Sequence, residues 1–224
     1  MPAVTSSAMA GLRRLLPPQL RGLAHRVRKR LLHSTDFVLI TKDLAEPKAP
    51  STLASLTVRA VGEADYSALD EFCRVHRAVE PEATARLGDC RSRGYRGFLA
   101  TAEGALLGHL WWVDASGHGA RPHPRVRALS LELGEHSAYL FDFFIAPARR
   151  GKGVSQAFLA DVYAQLRKSG YTRVVGDVVS DDRRARWTYR ADGWKDGRTV
   201  RIWSVLSSVL ICPGGWRFAD SRWF

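Results

Sequence analysis

The sequence is poor in cysteine: Cys73, Cys90 and Cys212 lie far apart and form no CxxC pair. An odd, scattered set argues against a disulfide framework or a zinc site and fits a reducing compartment. The histidines nowhere take HExxH spacing, and His118 and His123 fall in GHGARPHP, a loop composition. No run approaches the ~20 apolar residues that a membrane-spanning helix needs. The longest candidate, residues 202–212, is interrupted by serines and reads as strand. A secretory signal would need a continuous apolar stretch, which Arg13, Arg14, Pro17, Pro18 and Arg21 break up. Acidic residues are missing before Asp36, whereas residues 1–35 hold seven Lys and Arg. The formal charge of +12 falls to +5 without them, so most of the excess belongs to the N-terminus rather than the fold. No RNP, helix-turn-helix or zinc pattern accompanies that charge, which argues against a nucleic-acid partner. Internal repeats are absent as well.

What is present suffices for one core. Hydrophobic residues make up 46% of the 224, with seven Trp and nine Phe, enough for one domain plus an appendage. Leu20, Leu23, Val27 and Leu31 form a helical stripe flanked by Arg21, Arg28, Lys29 and Arg30. Three readings stay open: a helix docked on the domain, a helix lying on anionic lipid, or an Arg-rich transit segment. EPKAPS, residues 46–51, has linker composition and sets the expected division into an extension, 1–50, and a domain, 51–224. Residues 37–40 read as a short strand. The domain then reads as strand 56–60, helix 63–76 with Tyr66, Leu69, Phe72 and Cys73 on one face, and helix 82–91. A hairpin over 97–113 turns at Glu103-Gly104, and strands follow at 128–133 and 138–145. Helix 156–168, strand 173–179, helix 184–190 and strands 199–206 and 209–212 complete the pass. Strands first and helices between strands later indicate an α/β fold, a mixed sheet with helices on both faces.

The most informative stretch is AYLFDFFIAPARRGKGVSQAFLADVYAQLRK, residues 138–168. A buried strand ends at a proline, a short loop follows, and an amphipathic helix starts at once. The first N–H groups of a helix lack internal partners and its dipole favours anions there. Gly151 and Gly153 admit close approach to the backbone, and Arg149, Arg150 and Lys152 add positive charge. A pyrophosphate suits this loop; so does a basic turn with two glycines. The GxxxxGK[ST] spacing is absent, and no third glycine completes GxGxxG.

Arg150-Gly-Lys-Gly153-Val-Ser155 resembles the R-x-x-G-x-G/A signature of the GNAT superfamily of acetyl-CoA-dependent N-acetyltransferases. Downstream, Asp182-x-x-Ala185-x-x-x-Tyr189-x-x-x-Gly193-Trp194 is similar to the family's N-x-x-A-x-x-x-Y-x-x-x-G-F pattern. The likeness covers about residues 56–206, and LFDFFIAPARRGKGVS is particularly similar to diamine acetyltransferases. The chain departs from the pattern at Ser155, where Gly or Ala is usual, and at Asp182, where Asn is usual. Phe141 stands where the diamine enzymes carry glutamate, so their acid–base assignment does not transfer.

The resemblance implies a GNAT-like, mostly antiparallel sheet and acetyl-CoA as co-substrate, with no metal. Direct transfer to a primary amine, on a small molecule or a macromolecule, is expected. Arg150, Gly151, Lys152, Gly153, Val154 and Ser155 would hold the CoA pyrophosphate through backbone N–H groups. Phe143, Phe144 and Ile145 would pair with the pantetheine amides as an added strand does, and Asp182 would be a further cofactor-binding residue. Tyr189 is the candidate general acid toward the departing thiolate. Asp142 is the candidate substrate-side carboxylate, expected on the opposite face of its strand from Phe141 and Phe143, because a charge in an apolar strand is costly unless paired. Glu132, Glu135 and His136 are weaker alternatives, Trp111 and Trp112 belong to core and rim, and residues 114–136 shape the acceptor cleft. Rival functions are transfer of a longer acyl chain, a non-catalytic CoA sensor, and a basic membrane- or nucleic-acid-binding module. The expected location is cytoplasmic with peripheral contact to an anionic inner membrane face, and a homodimer is a further expectation.

Overall fold

The computed structural model describes residues 32–45, 55–80, 82–116, 121–205, 208–212 and 218–220. The basic stripe over residues 20–31 and the linker at 46–51 lie outside the described residues. In chain order the elements are β1 (Leu32–Asp43), β2 (Leu56–Ala60), α1 (Tyr66–His76), α2 (Ala83–Arg93), β3 (Arg96–Ala102), β4 (Ala105–Asp114) and α3 (Pro124–Ala128). They continue with β5 (Ser137–Ile145), α4 (Val154–Lys168), β6 (Arg173–Val179), α5 (Arg183–Ala191), β7 (Lys195–Val205), β8 (Ser208–Cys212) and β9 (Phe218–Asp220). The strands form one mixed sheet in the order β2-β3-β4-β5-β6-β1-β7-β8-β9. Its pairings are antiparallel apart from β5 with β6.

The period-two pattern of the strands divides the core between the two faces. Leu110, Trp112, Ala138, Leu140, Val174 and Val178 pack with Phe158, Leu159, Val162 and Leu166 of α4. Trp111, Val113, Tyr139, Phe141 and Val175 pack with Leu69 and Cys73 of α1 and Leu87 and Cys90 of α2. Each fully buried large apolar side chain in these layers contributes about 1.5–3 kcal/mol. Both tryptophans expected at core and rim are buried.

Three expectations need correction. The short strand expected at 37–40 is a 12-residue strand, β1, seated between β6 and β7 and paired to both. A boundary at residue 50 therefore does not separate an extension from the domain, because the sheet takes in residues 32–43. Residues 128–133 are not a strand. Pro124 stands at the start of α3 and the His123 imidazole accepts the Arg125 N–H at 3.2 Å, which nucleates a helical turn instead. Leu129 and Leu131 then face the core from the segment that follows.

Candidate active site

The site arises where the sheet comes apart. β5 and β6 pair only through Ser137↔Arg173, Ala138↔Val174 and Tyr139↔Val175. Beyond that point β5 runs on to Ile145 and β6 to Val179, while the far edge of β6 stays paired with β1 as far as Phe37↔Val179. The two inner edges thus leave a wedge. A bulge in β5 drives the divergence: Trp111 faces Phe141 and His109 faces Phe144, so Asp142 and Phe143 together oppose Leu110. Asp142 has φ 47°, and such a bulge bends its strand and leaves backbone groups outside the ladder. Gly108 on β4 accommodates the bend, since a Cβ there would lie 2.3 Å from the Phe144 carbonyl oxygen.

The wedge is a cleft of about 220 Å³. Leu159 of α4, Ala185 and Tyr189 of α5 and Trp194 line one side; Phe141, Asp142, Asp177 and Arg125 line the other. The glycine loop follows the end of β5 and leads into α4, the helix that lends Leu159 to the lining. Gly151 and Gly153 adopt φ 79° and 76°, the left-handed region that side chains avoid. The first helical bond of α4 is donated by Ala157 to the Gly153 carbonyl. By helix geometry the N–H groups of Val154, Ser155 and Gln156 come before any internal acceptor. Arg150 is committed elsewhere: its Nε donates to the Ile145 carbonyl at 2.9 Å and its guanidinium lies 5.1 Å from the Phe144 ring centroid. It ties loop to strand end, while Arg149 and Lys152 are exposed. Phe143 lines the cleft and packs on Phe158 of α4, whereas Phe144 and Ile145 are buried.

Tyr189 is partly exposed at the cleft. Its ring meets Trp194 edge-on at 5.3 Å, and among the described residues no hydrogen bond engages its hydroxyl. Protein packs densely around the phenol, so desolvation, and after it the charges of Asp177, Asp182 and Asp192, raise its pKa well above the ordinary tyrosine value. The phenol stays protonated and free to donate. Asp182 is used as a helix cap: its Oδ1 accepts the Ala185 N–H at 2.9 Å, and it does not line the cleft.

The bulge changes the place expected for Asp142. It turns Asp142 toward α1 and α2, the face that Phe141 also occupies, while Phe143 goes to the α4 face. There Arg77 lies 2.9 Å and Arg86 3.8 Å from Oδ1. Burial alone would raise this carboxyl's pKa, but His109, Arg77 and Arg86 together hold it below the usual range. His109 is itself buried and pushed down to about 4, so near neutrality the arginines do the holding.

Sequence reasoning missed a second buried carboxylate. Asp177 of β6 accepts from Tyr139 Oη, and from Arg125 at 2.7 Å. Its signal was available, a lone charge inside RVVGDVV, the same kind of cue that singled out Asp142. Arg125 comes from α3 within the 114–136 segment expected to shape the cleft, and it stacks over Phe37 of β1 at 5.0 Å. Glu132, Glu135 and His136 are absent from the cleft lining.

The sequence model of the acetyltransferase (GNAT) family matches residues 65–194, which runs from the turn before α1 to the residue after the α5 loop. No curated protein matches the sequence. Among solved structures, an acetyltransferase of the GNAT family from Colwellia psychrerythraea superposes with a TM-score of 0.54 at 14% identity, over 78% of this chain and 57% of that one. A putative GNAT acetyltransferase from Novosphingobium aromaticivorans gives 0.51 at 14% identity, over 77% of this chain and 64% of the other. A functionally unknown protein from Staphylococcus epidermidis gives 0.55 at 12% identity, over 80% and 64%. This chain thus spans less than two thirds of each of these structures, and the likeness is one of fold.

Proposed function

Since the chain belongs to the GNAT acetyltransferase family, we propose that it transfers the acetyl group of acetyl-CoA directly to a primary amine, with Tyr189 as general acid. The observation that carries this reading is the wedge beyond Tyr139 and Val175, which opens two strand edges beside the phenol of Tyr189, on a strand that leads into a glycine loop at a helix start.

The residues fit the co-substrate. The pyrophosphate takes the N–H groups of Lys152, Gly153, Val154 and Ser155, where the dipole of α4 adds attraction. Ser155 adds a hydroxyl donor. The pantetheine amides pair with the open edge of β5 at Phe143 to Ile145, in the manner of an added strand. This carries the thioester along the cleft past Leu159 and Ala185 toward Tyr189. The neutral amine attacks the thioester carbon; as the carbon–sulfur bond breaks, the thiolate takes the Tyr189 proton, and the proton that the nitrogen loses on becoming an amide restores Tyr189. Positioned acids of this kind contribute ~10²–10⁴ in rate. Asp142, clamped by Arg77 and Arg86, acts as a positioning residue that holds the bulge.

A CoA-release assay over a panel of polyamine, amino-sugar, amino-acid and lysine-peptide acceptors, with acetyl-CoA and longer acyl-CoA donors, tests the reading. Turnover with acetyl-CoA and at least one amine is expected. Release only with longer donors, or binding with no release, would replace it with a longer-chain transferase or a CoA sensor.

A further inference from the structure

We propose that Asp177, held between Tyr139 and Arg125 on the wall of the cleft facing Tyr189, is the carboxylate that receives the acceptor's ammonium group and takes its proton. The inference rests on the acetyl-transfer reading and assigns the half of the reaction that Tyr189 cannot perform.

Three observations carry it. The first is placement. Asp177 stands on β6 two residues beyond Val175, the last position paired to β5, and so enters the wedge itself. Tyr189 lines the same cleft from the α5 side, which leaves a thioester between them with an acid on one flank and a carboxylate on the other. The second is capacity. The Asp177 side chain is 2% exposed, and its oxygens accept one bond each, Oδ1 from Tyr139 and Oδ2 from Arg125. A carboxylate oxygen offers about two acceptor positions, so both atoms retain one for an ammonium proton. The third is the contrast with Asp142, the other carboxylate at the cleft. Two guanidinium groups, Arg77 and Arg86, already engage it, and Glu80 bridges both of them, so Asp142 belongs to a closed four-charge network that is neutral without an ammonium. At Asp177 a single guanidinium is shared with a neutral phenol.

The step balances. Asp177 takes one proton from R–NH₃⁺, and the amine nitrogen attacks the thioester carbonyl carbon. The carbon–sulfur bond breaks with its electron pair leaving on sulfur, and the thiolate takes the Tyr189 proton. The second proton lost by nitrogen restores Tyr189, and Asp177 releases its proton to solvent. One ammonium and one thioester give one amide, one thiol and one proton.

The test compares Asp177→Asn and Asp142→Asn with the unaltered protein, using acetyl-CoA and two nucleophiles. One is the best acceptor from the panel of spermidine, glucosamine, glycine and a lysine peptide. The other is hydroxylamine, which is neutral at pH 7 and needs no deprotonation before attack. Asp177→Asn is expected to lower turnover of the ammonium acceptor by ~10²–10⁴, the range of positioned bases. Hydroxylamine turnover and acetyl-CoA affinity should stay within a few-fold. The loss should shrink as pH rises through the acceptor's own pKa. Should Asp177→Asn fail to fold because it orphans Arg125, the double variant with Arg125→Met removes both charges and should show the same selective loss. Wild-type turnover in Asp177→Asn, an equal loss with both nucleophiles, or a selective loss confined to Asp142→Asn would each overturn the assignment. If the unaltered protein releases no CoA with any nucleophile, acetyl transfer itself falls, and this proposal with it.

Discussion

Lys42 of β1 donates to the backbone carbonyl of Asp192 and lies 3.8 Å from its carboxylate, which fastens the N-terminal strand to the turn behind Tyr189. The Asp192 carboxylate also accepts from Tyr163 at 2.7 Å, and Tyr163 in turn accepts from the Trp194 indole at 2.8 Å. The N–H groups of Asp192 and Trp194 both bond the Tyr189 carbonyl. A strand outside residues 65–194 therefore fixes the end of the helix that carries the candidate acid.

Lys42→Met takes a cation away from a buried carboxylate. Breaking a buried pair in this way costs about 3 kcal/mol, equivalent to about 6–12 °C in Tm for a chain of this size. A thermal melt checks it. Truncation sharpens the point: removing residues 1–31 keeps every described strand, whereas removing 1–45 exposes the facing edges of β6 and β7 and is expected to abolish cooperative folding.

Tyr189→Phe should reduce turnover by ~10²–10⁴ while acetyl-CoA affinity stays within a few-fold, because the change removes a proton donor and little volume. Steady-state kinetics beside calorimetry separates the two quantities. Wild-type turnover in this variant, with chemistry limiting, would leave Tyr189 a packing residue against Trp194.

Gly153→Val places a β-branched side chain at φ 76° and into the approach to the α4 N-terminus. Strain of about 1–2 kcal/mol is tolerable for the fold, but the phosphate approach closes. Calorimetry should show acetyl-CoA binding abolished in a protein with native circular dichroism; undiminished affinity would remove the loop from the binding site.

Much of this site was legible because its parts are local. A strand, a proline, two glycines and a helix within residues 138–168 specify the loop without reference to the rest of the chain. The shared face of Leu69, Phe72 and Cys73 follows from helical period alone, and all three are buried. What escaped depends on distant pairing. Nothing near Phe37 says that β1 inserts between β6 and β7, since their edges are formed some 140 residues later. The orientation of Asp142 was misread for a related reason: strict alternation holds only for a regular strand, and the bulge opposite Leu110 resets it. Asp177 and Arg125, 52 residues apart, meet only once the sheet has formed.

The buried cluster beside Asp142 gives the protein an acid-sensitive stability. His109 is 1% exposed, its Nδ1 has no hydrogen-bond partner among the described residues, and Cys73 Sγ lies 3.9 Å from Nε2. Burial, with Arg77 and Arg86 nearby, depresses its pKa from 6.5 to about 4. The folded protein thus holds His109 neutral where the unfolded chain binds a proton. The associated stability is complete above the unfolded pKa, declines as pH falls below about 6.5, and levels off near 4. Two and a half pKa units correspond to about 3 kcal/mol over the whole window, of which about 2 is lost by pH 5. At that pH the depressed pKa of Asp142 keeps its carboxylate ionised, so its ion pairs with Arg77 and Arg86 persist. Urea unfolding at pH 7 and pH 5, for the unaltered protein and for His109→Leu, isolates the contribution. The leucine variant cannot take up a proton at this position, and its stability should change between the two pH values by about 2 kcal/mol less. Equal changes in both proteins would mean that His109 already reaches water in the folded state.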